Sequence, residues 1–344
     1  MRARRVWAKI MKDKRRIDDI EVKKANILHH DVEAEIFERA HPEGSSIYEK
    51  SKVSRSIGSI AENSEITDLC VDVGCGTGFA TSFELPFYRT VVAADISRRM
   101  LEVTRKRLGH SSLLNLIVCD AECLPLRSEI ADLVSVSSVL HHLPKPFNSM
   151  TEISRLLKEG GFLYVTREPN FRLLRRFFAF FDQMVVQKTA KLMGRLSVFK
   201  SEPREPTMIV DGLDYDKVDV HYPTGFHILQ LTELLSSKHL EIISAYSYHW
   251  IYPDSDKDLL QQLLTKTNFI IEKVPLSEKL GRYISIIARK PRKIGRNNKE
   301  EKLGLMRTVH LAIYGIDLVG LGNKYGTVIF IFNRRGMLKD FSPH

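Results

Sequence analysis

Several classes of protein are disfavoured by what this sequence of 344 residues lacks. It has no apolar run of roughly 18 residues, so no membrane-spanning helix is predicted. It has only four cysteines, at positions 70, 75, 119 and 123, and their spacing is not that of a zinc site. Buried thiols of this kind fit a reducing compartment. The N-terminus is charged and no apolar segment follows it, so we expect no secretory signal and a cytoplasmic protein.

The charge balance is strongly positive. Lysine and arginine number 52 against 42 acidic residues, and the net charge of +10 favours anionic partners such as lipid head groups or RNA. Basic residues crowd into residues 1–28, where apolar positions recur with roughly helical spacing. This pattern predicts a basic helical extension, which lies on an anionic membrane, on nucleic acid, or simply in solvent.

A glycine-rich stretch at residues 71–79 organises the rest of the chain. Residues 69–73 form a short apolar run typical of a buried parallel strand, and Gly74, Gly76 and Gly78 then alternate. A glycine-rich turn at the carboxyl end of a strand lets a ligand lie against bare main chain. The G-x-G-x-G spacing differs from the G-x-G-x-x-G of dinucleotide sites and suits a ligand without a pyrophosphate.

Three further predicted strands end in polar residues at the same edge of the expected sheet. Their ranges are 90–94, 114–118 and 131–135. Asp95 ends the first of them, where an acid can accept both hydroxyls of a ribose, or can cap the helix that begins at Ser97. Asp120 follows the second strand and equally fits a turn. Ser137 follows the third and lies near the expected ligand or caps a helix.

Helical patterns alternate with these strands, which predicts a parallel sheet with helices on both faces. Gly160 and Gly161 are expected to end one of these helices and to lead into a fifth strand. The predicted helices are 46–61, 79–87, 97–109, 146–159, 225–238 and 255–280, and the later strands are 162–166, 240–246 and 283–288.

Five motifs together resemble those of the class I S-adenosylmethionine-dependent methyltransferases, in particular the branch that includes the ubiquinone and menaquinone biosynthesis methyltransferases. They are V-D-V-G-C-G-T-G at 71–78, A-D-I-S at 94–97, C-D-A-E-C-L-P at 119–125, L-H-H-L at 140–143 and L-L-K-E-G-G-F-L-Y-V at 156–165. The resemblance is strong over 66–170 and weaker over 220–290. It implies a Rossmann-like, seven-stranded, mostly parallel sheet, with the strand at 283–288 antiparallel at its edge.

The same resemblance implies S-adenosylmethionine as the cofactor and a role for ten residues in binding it. The glycine loop and Ser137 would lie along the methionine part, and Asp72 would orient the loop or the cofactor amine. Asp95 would hold the ribose, Ile96 would pack on the adenine, and Asp120 and Ala121 would flank the adenine amino group. The full set is Asp72, Gly74, Cys75, Gly76, Gly78, Asp95, Ile96, Asp120, Ala121 and Ser137. No metal site is predicted.

Two adjacent histidines are the candidates for catalysis. His141 and His142 follow the fourth strand, close to where the methyl group should lie. If the acceptor is a hydroxyl or an acidic carbon, a base must take its proton, and histidine suits neutral pH. The alternative is that one histidine packs on the cofactor and the other caps a helix.

Three residues are candidates for binding the methyl acceptor. Tyr48 lies on a predicted helix of the kind that covers the cofactor in the enzymes that the chain resembles. Glu168 follows the fifth strand on the ligand side of the sheet, where it either contacts the acceptor or pairs with Arg167. Tyr222 precedes the helix predicted at 225–238.

Residues 171–200 interleave aromatic and basic side chains. Such a segment fits contact with a membrane surface, a cover over a hydrophobic acceptor or an ordinary lid helix, and stacking on RNA is a further alternative.

The sequence predicts three parts of the chain. They are a basic helical extension at 1–28, a methyltransferase domain at 29–290 with an inserted lid or substrate segment at 170–224, and a basic linker with a C-terminal appendage at 291–344. The strand predicted in the appendage is 325–332.

The sequence thus predicts methyl transfer from S-adenosylmethionine to a small, hydrophobic acceptor such as a quinone or a lipid precursor, with peripheral membrane contact through 171–200. The alternatives are a methyltransferase that acts on RNA or protein and a non-catalytic scaffold that binds the cofactor. No Asn-Pro-Pro-aromatic motif follows the fourth strand, and no Pro-Cys nucleophile is present. These absences disfavour amine-methylating and cytosine-carbon-methylating subclasses.

Overall fold

A computed structural model of the protein describes residues 19–41, 44, 46–171, 225–251, 259–275 and 277–292, together with short strand pairs within 209–214 and 322–327. The chain divides into two compact units, Met1–Arg292 and Lys293–His344. Most of the basic extension, nearly all of the segment at 171–224, including Tyr222, and most of the appendage lie outside the described residues.

A seven-stranded sheet organises the first unit. The strands of that unit, as far as it is described, are β1 Leu69–Val73, β2 Thr90–Asp95, β3 Leu114–Val118, β4 Ala131–Ser137, β5 Leu157–Pro169, β6 Ile209–Val210, β7 Leu213–Asp214, β8 Glu241–Tyr248 and β9 Tyr283–Arg289. The strand order is β3-β2-β1-β4-β5-β9-β8, and β6 pairs only with β7. Strands β1 to β5 are parallel, whereas β9 is antiparallel to both β5 and β8. The predicted mostly parallel α/β sheet is confirmed.

The position of the closing strand differs from the prediction. β9 lies between β5 and β8, so β8 rather than β9 forms that edge of the sheet. β9 follows β8 in the chain, and its antiparallel pairing inserts it between two strands that precede it.

Helices pack around the sheet or precede it. Those described are α1 Asp19–Glu33, α2 Phe37–Ala40, α3 Ile47–Glu62, α4 Thr81–Glu84, α5 Arg98–Leu108, α6 Pro146–Leu156, α7 Ile228–Ser237 and α8 Leu259–Ile271, with single 3₁₀ turns at Leu140–His142 and Ser277–Lys279. Serine side chains start two of them: the Ser46 hydroxyl accepts a hydrogen bond from the Tyr48 amide, and the Ser97 hydroxyl accepts one from the Met100 amide, both at 3.1 Å.

The core lies on both faces of the sheet. Val71 and Leu163 belong to one buried cluster, while Cys70 and Phe162, their chain neighbours, belong to another. Successive side chains of a strand point to opposite faces, so strands covered by helices on both sides must be apolar throughout. This explains why the strands read as continuous apolar runs.

One predicted helix is too long. α6 ends at Leu156, whereas the prediction extended it over 146–159. Gly160 and Gly161 lie inside β5 and do not end the helix: Gly160 has a φ of +82°, and a Cβ on Gly161 would lie 2.9 Å from the Ala131 carbonyl oxygen. The glycines therefore allow β5 to bend closely against β4, a long-range contact that local spacing does not reveal.

In the second unit, β10 Gly322–Asn323 pairs antiparallel with β11 Gly326–Thr327. The strand predicted at 325–332 overlaps β11, and the rest of it lies outside the described residues.

Within the parts of the chain that the structure describes, no helix combines the length and the apolar character needed to cross a membrane.

Candidate functional site

A cavity of about 800 Å³ lies where β1, β2, β4 and β5 end, and α1 forms part of its wall. Eleven of the predicted site residues line it, whereas Gly78, Tyr48 and Glu168 do not. The eleven are Asp72, Gly74, Cys75, Gly76, Asp95, Ile96, Asp120, Ala121, Ser137, His141 and His142. One end of the sheet thus brings together residues from loops far apart in the chain, as expected for an open α/β sheet.

The glycine loop is held against the end of β2. The Gly74 amide donates to the Ala94 carbonyl at 2.7 Å, and the Gly76 amide donates to Asp95 Oδ2 at 2.8 Å. Gly74 has a φ of +70°, and a Cβ there would overlap the Val139 side chain. Gly76 has a φ of +53° with open space where its Cβ would stand, so its bare main chain faces the cavity.

Gly78, the third glycine of the loop, does not line the cavity. A Cβ on this residue would lie 2.9 Å from Thr104 Cγ2 and 3.0 Å from Leu108 Cδ1 on α5. The absence of a side chain at Gly78 therefore lets the glycine loop pack on α5, and this packing supports the part of the loop that lines the cavity.

Asp95 joins two parts of the site. Its Oδ1 accepts from the Ser97 amide at 2.8 Å while its Oδ2 accepts from the Gly76 amide. The helix cap itself is Ser97, not Asp95. Burial raises the pKa of Asp95 to about 6. A carboxylate has about four acceptor positions, so two backbone hydrogen bonds leave capacity for the hydroxyls of a ribose.

Asp72 lies beneath the glycine loop in a fully buried polar group. Its Oδ2 accepts from the Thr81 hydroxyl at 2.6 Å, and its Oδ1 lies 3.3 Å from the Ser135 hydroxyl. The Ser135 hydroxyl also lies 2.5 Å from Glu84 Oε1. Burial raises the pKa of Asp72 to about 6 and that of Glu84 well above its usual range. The two carboxyls support the loop and titrate together.

α1 covers the open side of the cavity. The Asn26 side-chain amide donates to the His142 carbonyl at 2.9 Å, and the Ser97 hydroxyl donates to Asp31 Oδ1 at 2.6 Å. Lys23 reaches the loop after β3, with its Nζ 2.6 Å from Asp120 Oδ2. The Asp120 carboxylate, predicted to meet the adenine amino group, is thus engaged by a lysine of the covering helix.

Glu168 holds His141 in place. Its Oε1 accepts from the backbone amides of Val139 and Leu140 at 2.7 and 2.8 Å, and its Oε2 lies 2.9 Å from His141 Nδ1. Glu168 is fully buried and absent from the cavity wall, so it acts on the loop after β4 and not on a bound ligand. Arg167, its expected alternative partner, lines the cavity with its guanidinium 4.7 Å from the centre of the Phe79 ring.

Tyr48 does not reach the cavity. It is fully buried on α3, with its ring 4.8 Å from Phe269 and 5.9 Å from His249. Around Tyr48, α3 docks on the segment that follows β8 and on α8. The position of Tyr48 is therefore that of a packing residue.

Several residues that line the cavity were not predicted from the sequence as site residues. They are Lys23, Asn26, His29, His30, Glu33, His41, Arg167, Asn170 and Arg282. The His-His-x-x-Glu spacing at His29, His30 and Glu33 could have been found, because it puts three potential ligands on adjacent turns of one helix. Burial lowers the pKa of His30 to about 4.

The cavity fits a ligand made of a nucleoside and an amino acid. Bare glycine main chain, an acid at the end of β2 and a hydroxyl at the end of β4 are the groups that such a ligand needs. Among the described residues, the Ser137 hydroxyl is buried at the cavity without a hydrogen-bond partner. A buried polar atom of this kind calls for a partner from a ligand or water.

Comparisons with known proteins agree with this geometry. Residues 71–165 match the family model described as "Methyltransferase domain". A demethylmenaquinone methyltransferase of Clavibacter sepedonicus is 28% identical over 163 residues, which cover 44% of this chain and 66% of the relative. One of Lactiplantibacillus plantarum is 30% identical over 145 residues, 40% of this chain and 58% of the relative. The chain thus spans less than two thirds of these relatives' length.

A solved structure also resembles the chain. The N-methyltransferase NodS of Bradyrhizobium japonicum, in complex with S-adenosylhomocysteine, aligns with a TM-score of 0.42 at 12% identity, over 72% of this chain and 89% of its own.

The strand order and the glycine loop define a nucleotide-binding α/β domain, and residues 71–165 match a methyltransferase domain. The fold and the matched domain are those of a class I S-adenosylmethionine-dependent methyltransferase, whose cofactor is S-adenosylmethionine.

Proposed function

We propose that this protein transfers the methyl group of S-adenosylmethionine to a small, hydrophobic acceptor, such as a quinone or a lipid precursor, with His141 as the base. The observation that supports this most directly is the 2.9 Å contact between His141 Nδ1 and the buried Glu168 carboxylate at the cavity. A carboxylate that accepts Nδ1–H orients the imidazole and stabilises its protonated form.

The cofactor would lie along the edge of the sheet. Gly74, Cys75 and Gly76 would contact its methionine part, with Ser137 supplying a hydroxyl from the end of β4. Asp95 would accept the ribose hydroxyls. The further assignments are Asp72 supporting the loop, Ile96 on the adenine, and Asp120 with Ala121 beside the adenine amino group.

When bound, S-adenosylmethionine supplies a methyl group on a positively charged sulfur, which is a good leaving group. The task of the protein is then to position the acceptor in line with that methyl group and to remove the acceptor's proton. With Nδ1–H donated to Glu168, His141 Nε2 is the basic nitrogen of the ring and would take a proton from an acceptor hydroxyl or acidic carbon. The proton would then pass from His141 to water.

The choice of acceptor class rests on two observations. Two relatives that match part of this chain are named demethylmenaquinone methyltransferases. The cavity wall also carries large apolar side chains, among them Phe37, Leu143 and Tyr283. An apolar wall with a few convergent polar groups suits a hydrophobic molecule that carries one reactive polar group. Peripheral membrane contact through residues 171–200 is part of the same proposal.

The experiment is to incubate the protein with methyl-labelled S-adenosylmethionine and a cell extract separated into lipid, RNA, protein and small polar fractions. We expect label in the lipid fraction, and we expect Asp95→Ala to abolish it. Label in RNA or protein would overturn the acceptor class. Cofactor binding without label in any fraction would favour a scaffold role.

A further inference from the structure

The end of α1 carries an unusual group of side chains. Glu33 is the last residue of the helix and is 9% exposed, and its carboxylate lies among three histidines. Its Oε2 lies 3.3 Å from His29 Nε2 and 4.0 Å from His30 Nδ1, while its Oε1 lies 3.1 Å from His41 Nε2. All four side chains line the same cavity as His141.

The position of Glu33 is electrostatically unfavourable by itself. The C-terminal end of a helix carries partial negative charge, so an acid there is destabilising, and burial adds the cost of removing its charge from water. Contacts with His29 and His41 offset part of this cost, and a positive charge at this place would offset more of it. Histidines provide that charge only when they are protonated, whereas a metal ion provides it together with bonds to the neutral imidazoles.

The spacing brings the donors to one point. Glu33 is four residues after His29 and three after His30, so both histidines are its neighbours on the helix surface. One donor atom from each of these three residues lies within 4.8 Å of the other two. Donors of a tetrahedral zinc site with bonds of about 2.0–2.1 Å are roughly 3.3 Å apart, so small side-chain movements suffice. His41 Nε2 lies 3.1 Å from the other oxygen of Glu33, Oε1, and stays outside this group of three.

We propose that His29, His30 and Glu33 bind a divalent transition-metal ion of the zinc type, whose fourth position is left open toward the cavity. Imidazole nitrogens suit zinc, nickel and iron, whereas magnesium and calcium prefer oxygen ligands, so a site with two histidines selects the former group. His41 contacts the Glu33 carboxylate from the residue after α2 and orients it for the ion.

The location gives the ion a role at the acceptor. The His30 ring lies 5.3 Å from His142, which lies 4.1 Å from His141, so the group borders the part of the cavity where the base stands. An ion there would coordinate an oxygen of the acceptor and lower the pKa of its hydroxyl. This role rests on the proposed function, whereas the binding of the metal does not.

The test uses untagged full-length protein, stripped with a chelator and then titrated with Zn²⁺ and, for its visible spectrum, Co²⁺. We expect one Zn²⁺ per chain, a tetrahedral Co²⁺ spectrum and a higher melting temperature with metal. His30→Ala and Glu33→Ala should each weaken Zn²⁺ binding at least tenfold, and the metal should no longer raise their melting temperature. His110→Ala, which replaces an exposed histidine that does not line the cavity, is the matched control and should bind like the wild type.

Zn²⁺ binding that is equally tight in Glu33→Ala and in the wild type would overturn the site, as would the absence of stoichiometric binding in the wild type. Circular dichroism of each variant shows whether it is folded, and a folded Glu33→Gln variant replaces any that is not. Metal binding is measured without cofactor or acceptor, so its result is independent of methyl transfer. If the labelling assay works equally well before and after chelation, the role at the acceptor is wrong.

Discussion

Glu168 Oε2 lies 2.9 Å from His141 Nδ1, although Glu168 lies near the end of β5 and His141 lies in the loop after the neighbouring strand β4. The same carboxylate accepts hydrogen bonds from three backbone amides of the loop after β4, those of Val139, Leu140 and His141. One buried acid therefore sets both the shape of the loop and the orientation of the imidazole. Removing it would disturb the loop as well as the ring, so the histidine is the better residue to test.

His141→Gln is expected to lower kcat by about 10²–10⁴-fold, because a positioned general base contributes roughly that factor. The cofactor Kd should stay within about threefold of the wild-type value, since the ring acts on the acceptor. Kinetics with the labelled acceptor and calorimetry with the cofactor measure the two quantities. His142→Gln is the matched variant and should lose at most about tenfold. A larger loss at His142 would assign the base to that residue instead.

Cofactor affinity should depend on pH through Asp95. Burial raises the pKa of this carboxyl to about 6, and the ribose hydroxyls need its ionised form as an acceptor. Protonation therefore opposes binding, and affinity falls as pH falls through 6. At pH 5 only about a tenth of the groups would be ionised, so the Kd should rise about tenfold relative to pH 8.

Calorimetric titration with S-adenosylhomocysteine between pH 5 and 8 measures this dependence. Asp72, whose pKa is also about 6, would make the rise of the Kd toward low pH steeper. Asp95→Asn should bind S-adenosylhomocysteine weakly, and its Kd should depend less on pH. An equally steep profile in Asp95→Asn would assign the titration to another group.

The fold could be predicted from the sequence because its signals are local. A strand, a turn with alternating glycines and a helix follow one another over residues 69–108, and each can be recognised within a few positions. The residues at the strand ends then had to meet, because parallel strands place their carboxyl ends at one edge. Eleven predicted site residues accordingly line one cavity.

The predicted acceptor residues that do not line the cavity are held by distant partners. Tyr48 packs against Phe269, and its neighbour Glu49 pairs with His249, roughly 200 residues away. Glu168 could be placed at the ligand edge from its position after a strand, but its partners come from the preceding loop. Nothing within a short window distinguishes an acid that contacts a ligand from one that holds a loop.

The buried pair of Glu49 and His249 is expected to be essential for stability. Both side chains are fully buried, and the Tyr248 hydroxyl also donates to Glu49 Oε2 at 3.2 Å. Glu49→Ala would leave polar partners buried without an acceptor and should lower the free energy of unfolding by about 3–5 kcal/mol. Denaturant unfolding followed by circular dichroism measures the change.

Glu62→Ala provides the control, because this exposed acid lies on the same helix α3. It should change the free energy of unfolding by less than about 0.5 kcal/mol. A similarly small effect of Glu49→Ala would mean that the pair contributes little to the fold.

Gly74 and Gly109 separate two consequences of replacing a glycine. Both have positive φ angles, +70° and +76°, and Gly109 also has a ψ of −175°, so alanine is strained at either position by about 1–3 kcal/mol. At Gly109 no atom lies within 4 Å of the new Cβ, whereas at Gly74 it would overlap Val139. Gly109→Ala should therefore lose only stability and keep its cofactor affinity.

Gly74→Ala should lose more stability than Gly109→Ala and bind the cofactor at least tenfold more weakly, because relief of the overlap must move the loop that faces the cavity. Gly74→Ala combined with Val139→Ala removes the obstacle and should recover part of the affinity while the backbone strain remains. Calorimetric titration of the three variants with the cofactor measures these affinities. If the double variant binds no better than Gly74→Ala, strain rather than the contact with Val139 controls the shape of the loop.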